Sequence, residues 1–292
     1  MAKNLKRLMK RFGDEMGKLA FADPVAYVYN PLDYAWAGQE AFIHKFFGPP
    51  SDADTNEDDP EPRPTMLVGM NPGPYGMTQS GVAFGAPKLV RHWMEIDLPP
   101  DAIHPPAVVC PARPIFGFSP VPITSTPTAA DTEAKGKKKR KRAPPRPPSL
   151  REEVSGKRIY ADWAMNTYSS ADAFFKEFYI HPYCPLQFMA ASGTNITPDQ
   201  LHRDDRAELY GVCDRYLREA IELLRPKRVI GIGNFADERI RDTLKRWREE
   251  QEEAGDENEL MEKLVVGKIP HPRHDPLDLR SVLVVARSVD LR

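Results

Sequence analysis

The sequence predicts an α/β fold, a three-layer α/β/α sandwich around a central, mainly parallel sheet of four strands. Two observations predict it: four short apolar runs of strand type, and segments of helical period between them. The runs are Thr65–Val68, Cys184–Ala191, Lys227–Ile232 and Leu264–Ile269. We expect a single domain over residues 1–292.

The helical segments follow from apolar residues that recur every three or four positions. Thr197 opens a capping box, with proline at the first helical position and Gln200 reaching back, and Asn234 has the side chain of an N-cap. A short extended piece is expected at Val108 and Val109. Helices are therefore predicted over Asn4–Leu19 and Ala37–Phe47, within Arg151–Ile180, after Thr197 and after Asn234.

Residues 119–149 interrupt this pattern, since they consist mainly of Pro, Thr, Ala, Lys and Arg with almost no large apolar side chain. Such a composition buries too little surface to order itself, and we expect a disordered insert within the domain. Its basic run, residues 135–142, has two readings that the sequence leaves open. It is a flexible arm that attracts DNA electrostatically, or a solvated insertion without function.

Composition limits the class of protein. The 292 residues are 41% hydrophobic, enough for a substantial core, and no apolar stretch approaches the roughly 20 residues that span a bilayer. We expect an intracellular protein without a membrane partner. Three scattered cysteines, Cys110, Cys184 and Cys213, predict reduced and buried thiols. A net charge of −1 requires any nucleic-acid binding to rest on local placement of basic groups.

The stretch Met66–Gly85 is the most informative part of the chain. A short apolar run leads into a turn rich in Gly and Pro that contains one carboxamide, Asn71. Glycines allow a flat ligand to lie against bare peptide groups, and prolines fix the turn. The stretch matches neither a phosphate-binding loop ending in Gly-Lys-Ser/Thr nor the spaced glycines of dinucleotide folds. An ordinary proline-rich connection remains the alternative reading.

Ligands of open α/β sheets gather at the carboxyl ends of strands. Asn71 follows the first predicted strand and His271 follows the fourth. We therefore expect both side chains on one rim of the sheet.

The loop Gly69-Met-Asn-Pro-Gly-Pro-Tyr-Gly-Met77, with Gly81–Gly85, resembles the first motif of the single-strand-selective monofunctional uracil-DNA glycosylases. Further matches cover nearly the whole chain from about Phe21, apart from the insert. They are Val28–Trp36, Glu153–Gly156, Cys184–Leu186, Ser192–Pro198 and His271–Pro272. The resemblance implies the uracil-DNA glycosylase-like fold.

That family hydrolyses the N-glycosidic bond of uracil in DNA without metal or redox cofactor, and the resemblance implies the following roles. Asn71 positions the attacking water and His271 donates to uracil O2. Phe84 stacks on the flipped base, and Met70 and Gly73 contact it through their backbone. DNA contacts are implied for Ser192, Gly193, Thr194 and Asn195, and for Arg273 and His274 in the turn after His271.

Simpler structural readings stand beside these roles. His271 alone is more typical of a residue that caps a strand end through a backbone hydrogen bond, and Phe84 alone of a core residue. Only the motif context favours function for them. His181 and His92 have no such context, and we assign them structural roles.

Two departures from the family pattern concern specificity. Where the family has an Asn whose amide reads the uracil edge, this chain has Pro182, which has no N–H to donate. Backbone groups nearby, or Tyr183, are candidates to compensate. The turn after His271 is also shorter, which weakens the wedge into the duplex and favours single-stranded or mismatched substrates.

The sequence therefore predicts a monofunctional uracil-DNA glycosylase of base-excision repair. Its expected partner is uracil-containing DNA, single- or double-stranded, and we expect a monomer that needs no cofactor. The expected location is cytoplasmic, at the nucleoid in a bacterium and in the nucleus of a eukaryote. Two alternatives remain: a non-catalytic binder of damaged or single-stranded DNA, and a glycosylase whose base specificity is altered by Pro182.

Overall fold

The computed structural model describes residues 1–48, 63–119, 153–255 and 259–272. Apart from Ser119, the predicted insert lies outside these ranges, and so do Arg273 and His274.

A four-stranded parallel sheet forms the centre of the fold. Its strands are β2 (Thr65–Gly69), β3 (Phe178–Pro182), β6 (Arg228–Ile232) and β7 (Val265–Ile269), in the order β3-β2-β6-β7. Every residue of β2, β3 and β6 is buried, as is usual where helices cover both faces of a parallel sheet. The predicted α/β architecture is confirmed.

One of the four strands was placed wrongly. The expectation of a sheet strand at Cys184–Ala191 fails, because the parallel strand is β3, which lay in a segment expected to be helical. Within the predicted run only β4 (Gln187–Met189) is a strand, and it pairs antiparallel with β1 (Tyr27–Tyr29) and β5 (Asn195–Ile196) in a second sheet. Pro185 interrupts the run, since it has no N–H for a ladder.

Helices cover both faces of the central sheet. On one face, His181 of β3 stacks on Phe12 of α1 (Ala2–Met16), with the ring centroids 6.1 Å apart. The same face carries α9 (Arg203–Leu224) and α10 (Asn234–Ala254). On the opposite face, Phe178 packs on Trp163 and Phe174. These contacts define the three layers.

The remaining helices are short, apart from α3. They are α2 (Pro31–Tyr34), α3 (Trp36–Phe47), α4 (Met77–Ser80), α5 (Pro87–His92), α6 (Val154–Gly156), α7 (Met165–Thr167), α8 (Ala171–Glu177) and α11 (Glu259–Lys263), with a π-helical segment at Lys157–Ala164 and 3₁₀ turns at Pro100–Ala102 and Pro198–Gln200. No helix among the described ranges is long and apolar enough to cross a membrane.

Three local predictions need correction. The capping box at Thr197 opens the 3₁₀ turn, and α9 begins only at Arg203. Gly233, with φ 86°, is the N-cap of α10, so Asn234 is its first helical residue. No strand forms at Val108, which is 65% exposed and lies in a bend.

Candidate active site

The carboxyl ends of β2 and β7 open onto one cleft of about 640 Å³. Asn71 follows β2 by two residues, His271 follows β7 by two, and both line the cleft. The structure therefore brings together two residues that lie 200 positions apart in the sequence. A recess at the β2 end of this cleft, called here the base cavity, is lined by Gly69, Met70, Asn71, Pro72, Gly73, Met77, Ala83, Phe84, Glu153 and Pro182.

The carboxamide of Asn71 has a fixed orientation. Its Nδ2 donates to the backbone oxygen of Leu186 at 3.2 Å. With the nitrogen held in this way, Oδ1 is the atom that accepts a hydrogen bond from a ligand or a water.

The loop that carries Asn71 is anchored at both ends. At its start, next to β3, the backbone N–H of Tyr183 donates to Gly69 O at 2.8 Å, and the backbone N–H of Cys184 donates to Met70 O at 2.9 Å. After Asn71, Thr78 Oγ1 donates to Gly73 O at 2.8 Å. A loop held in this way loses little entropy when a ligand binds.

Phe84 forms one wall of the base cavity in a strained conformation. Its φ is 55°, in the left-handed region that residues with side chains rarely adopt. The ring lies against Gly69: a Cβ placed there would be 2.8 Å from both Cε2 and Cζ. Glycine at the end of β2 is therefore required for this placement of the ring.

His271 stands beside the first turn of α10. Its Cβ is 3.1 Å from the point that a Cβ on Gly233 would occupy, and the N–H of Gly233 donates to Ile269 O at 2.9 Å. The absence of a side chain at Gly233 thus gives the histidine room at the strand end. His271 faces the same cleft as Asn71 and Phe84.

Pro182 ends β3, pairs with Gly69 and lines the base cavity. The following residue points elsewhere: Tyr183 is fully buried, and its hydroxyl donates to Asp214 at 2.7 Å and accepts from Arg239 Nε at 2.9 Å. Burial raises the pKa of Tyr183 well above its usual value. Of the two candidates to compensate for the proline, the Tyr183 side chain is therefore excluded, and nearby backbone groups remain.

The predicted DNA-binding segment is a turn between β4 and β5. Ser192 and Thr194 are exposed and lie 2.8 Å apart through their hydroxyls, while Gly193 has φ 76°. Arg113 Nε donates to Gly193 O at 3.0 Å, a support that no sequence signal indicated. Asn195 reaches the cleft. Of the predicted DNA contacts, these four residues can be placed; Arg273 and His274 lie outside the described ranges.

The sequence did not predict two charged residues that line the cleft, Glu153 and Lys268. Glu153 belongs to a stretch that carries the family resemblance, but it follows the irregular insert, and no pattern in the sequence placed its side chain at the site. Lys268 lies on β7, and its Nζ donates to Asn234 Oδ1 at 3.1 Å. Among the described residues that line the cleft, Lys268 is the one permanent cation and Glu153 the one carboxylate.

The histidine assigned a structural role, His181, lies in the core and not in the cleft. It is fully buried, and burial lowers its pKa to about 3, so the ring is neutral at physiological pH. In the part of the chain that the structure describes, no group of three or more His, Cys, Asp or Glu side chains is placed to hold a metal ion.

The fold of this chain resembles that of a solved structure. The fold is shared with the crystal structure of wild-type SMUG2 from Pedobacter heparinus, at a TM-score of 0.53 and 18% identity, covering 92% of this chain and 87% of that one. Together with the cleft at the strand ends, this defines an α/β protein with the uracil-DNA glycosylase-like fold. No family model matches the chain.

Two mammalian relatives identify the family. The single-strand selective monofunctional uracil DNA glycosylase of Bos taurus is 31% identical over 234 residues, which cover 80% of this chain and 70% of the relative. The mouse protein of the same name is 30% identical, with 80% and 68% covered. The chain belongs to the family of single-strand-selective monofunctional uracil-DNA glycosylases.

Proposed function

We propose that this protein is a monofunctional DNA glycosylase that hydrolyses the N-glycosidic bond of uracil in DNA, leaving an abasic site for base-excision repair. The observation that carries the proposal is the meeting of Asn71, Phe84 and His271 in one cleft at the strand ends, in a chain of this family. A base flipped out of the DNA stack would enter this cleft from the rim.

The chemistry requires two polar groups on opposite sides of the reacting bond. Cleavage generates a sugar cation and a uracil anion, so a donor is needed at the anion and a water at the sugar carbon. Asn71 Oδ1 accepts from that water, because the amide nitrogen is occupied by Leu186. A carboxamide orients water but is a weak base, which suffices when bond breaking precedes attack.

His271 supplies the donor to uracil O2 in this proposal. Such a donor is typically worth about 10² to 10³ in rate. Phe84 stacks on the base, contributing on the order of 1 to 3 kcal/mol without selecting among bases. Met70 and Gly73, just after the carboxyl end of β2, contact the base through their backbone groups in this proposal.

The proposed partner is uracil-containing DNA, single- or double-stranded, bound by a monomer without a membrane partner or cofactor. The turn of Ser192 to Asn195, in which Ser192 and Thr194 are exposed, runs along the DNA backbone in this proposal. Arg273 and His274 fill the gap left by the flipped nucleotide. The proposed place of action is the nucleoid of a bacterium or the nucleus of a eukaryote.

A uracil-containing oligonucleotide, cleaved with alkali after incubation, tests the proposal. Wild-type protein is expected to release uracil, and Asn71→Ala to lower the single-turnover rate by at least about 10², while binding to an abasic analogue persists. Asn166→Ala is the matched control, at an exposed asparagine outside the cleft whose amide donates to the backbone oxygens of Ala161 and Asp162. Equal rates for wild type and Asn71→Ala would remove Asn71 from the mechanism.

One observation favours a second candidate, a glycosylase for another deaminated or oxidised base. The wall of the base cavity at Pro182 has no side-chain donor, and Tyr183 is turned away into the core. A panel of lesions that includes hypoxanthine and 5-hydroxymethyluracil separates the candidates. A non-catalytic DNA binder would bind the panel and cleave none of it.

A further inference from the structure

The carboxylate of Glu153 lies against the loop that forms the floor of the base cavity. Its Oε2 is 2.9 Å from the position that a Cβ on Gly73 would occupy, and 2.8 Å from the same point on Gly76. Two glycines thus leave space for this side chain. The carboxylate reaches the cavity over bare backbone, and Glu153 lines both the base cavity and the wider cleft.

The base cavity contains few side chains that can form strong hydrogen bonds. Among the described residues that line it, only Asn71 and Glu153 carry such groups; the rest are Gly, Pro, Ala, Met and Phe. Asn71 is held through its amide nitrogen by Leu186 and is assigned to the water. Glu153 adds two carboxylate oxygens to this lining, and a carboxylate can accept several hydrogen bonds, including one from the edge of a base.

The part of the lining that comes from β3 is consistent with this role of Glu153. Pro182 offers neither a side-chain donor nor an N–H. Tyr183 bonds to Asp214 and Arg239 in the core. No side chain of β3 offers a hydrogen bond in the described cavity, so side-chain selectivity has to come from the rest of the lining, to which Glu153 belongs.

We propose that Glu153 is a specificity-determining residue that accepts a hydrogen bond from the lactam N–H of the flipped base; the inference rests on the function proposed above. An ionised carboxylate only accepts. Cytosine N3 and adenine N1 carry lone pairs and would be repelled. Deamination turns both positions into N–H groups, in uracil and in hypoxanthine. Glu153 thus recognises the proton that deamination adds.

A comparison of two bases in two proteins tests this contact. Single-turnover rates are measured on oligonucleotides with uracil or N3-methyluracil, which has no hydrogen at N3. Wild type is expected to prefer uracil by about 10² or more, since a site that hydrogen-bonds its substrate rejects analogues lacking the group. In Glu153→Ala this preference should fall at least tenfold.

The control variant is Glu177→Ala, at an exposed glutamate that ends α8, and it should keep the wild-type preference. If Glu153 only braces the loop, both substrates slow by the same factor in Glu153→Ala. An unchanged ratio of the two rates would overturn the proposal even when the absolute rates drop. Misfolding lowers both rates together and so cannot produce the expected result.

A binding measurement separates this inference from the proposed function. Oligonucleotides with non-cleavable 2′-fluoroarabino nucleotides of uracil and cytosine report affinity without turnover. Wild type should prefer uracil, and Glu153→Gln, which adds a donor, should reduce that preference at least fivefold. If wild type cleaves no uracil but the binding preference still falls in Glu153→Gln, the proposed function is refuted and the role of Glu153 in base recognition is retained. Cleavage of uracil with no shift refutes the assignment alone.

Discussion

The contact between Gly69 and Phe84 illustrates how single residues shape the cavity. The phenyl ring occupies the space where any other residue at position 69 would place its Cβ, and the φ of 55° at Phe84 aims the ring there. A residue held in such a conformation persists because its surroundings fix it. The last residue of β2 therefore determines where a flipped base would stack.

Substitution of Gly69 by alanine tests this packing. The added methyl group would lie 2.8 Å from two ring carbons, too close for the ring to stay. We expect Gly69→Ala to lower the single-turnover rate on uracil DNA by at least about tenfold through loss of stacking.

Gly211→Ala is the matched control, because nothing lies within 4 Å of a Cβ at that helical position. It should keep full activity and gain up to about 1 kcal/mol of stability. Equal activity in the two variants would show that the position of the ring does not matter.

At the scale of elements, the strand that the sequence misplaced forms one wall of the site. β3 leads through Tyr183 into a buried polar cluster that joins α9 to α10. Asp214 on α9, 7% exposed, accepts from Tyr183, Arg239, Thr243 and Arg246 at 2.5 to 2.9 Å. This cluster fixes the wall of the base cavity to two long helices.

Removal of the central carboxylate should destabilise the protein strongly. Asp214→Ala leaves Arg239, itself 9% exposed, with only the exposed carboxylate of Asp242 as a partner in the described structure, and breaking a buried pair costs up to about 3 to 5 kcal/mol. Urea unfolding should show this loss as a lower midpoint.

Asp204→Ala, at an exposed position in the first turn of the same helix, should change stability by less than about 1 kcal/mol. A similar midpoint for both variants would show that the cluster contributes little to stability.

Sequence reasoning reached the strands β2, β6 and β7 because continuous apolar runs bounded by Gly, Pro or charge are specific signals. It missed β3 because Phe178 continues the apolar helical spacing of Phe174 and Phe175, and only pairing with β2 makes it a strand. The shared position of Asn71 and His271 could be predicted, because residues that follow parallel strands lie on one rim of the sheet. The position of Glu153 could not, because its contact with Gly73 depends on how an irregular loop folds back.

At the scale of the whole molecule, the described lining of the cleft is nearly neutral. Among its described lining residues, Glu153 and Lys268 carry opposite charges. Electrostatic attraction of DNA therefore has to come largely from other parts of the surface, and affinity should depend on salt accordingly.

The pH dependence of folding is a second global property, set in part by His181 between the sheet and α1. The pKa of this histidine is about 3 in the fold, against 6.5 as its ordinary value. The unfolded chain binds the extra proton between these values, so stability is lost as pH falls from about 6.5 toward 3. At pH 5 the loss from this residue is about 2 kcal/mol.

Unfolding free energies of wild type and His181→Leu between pH 7.5 and 5 measure the effect. The variant should lose about 2 kcal/mol less than wild type over that range. Neither ring nitrogen of His181 has a hydrogen-bond partner among the described residues, so the leucine should be tolerated at pH 7. His202→Gln, at an exposed histidine, should follow wild type. If the unfolding free energies of wild type and His181→Leu fall in parallel with pH, His181 is not the cause of the acid sensitivity.

The position of β3 at the edge of the sheet explains how it can end in a proline. The N–H of Tyr183 points toward β2, so that of residue 182 would point away from the sheet, where no strand of the described order lies. A proline at this position removes no ladder bond. Pro182→Asn would therefore change the lining of the base cavity and leave the hydrogen bonds of the central sheet intact.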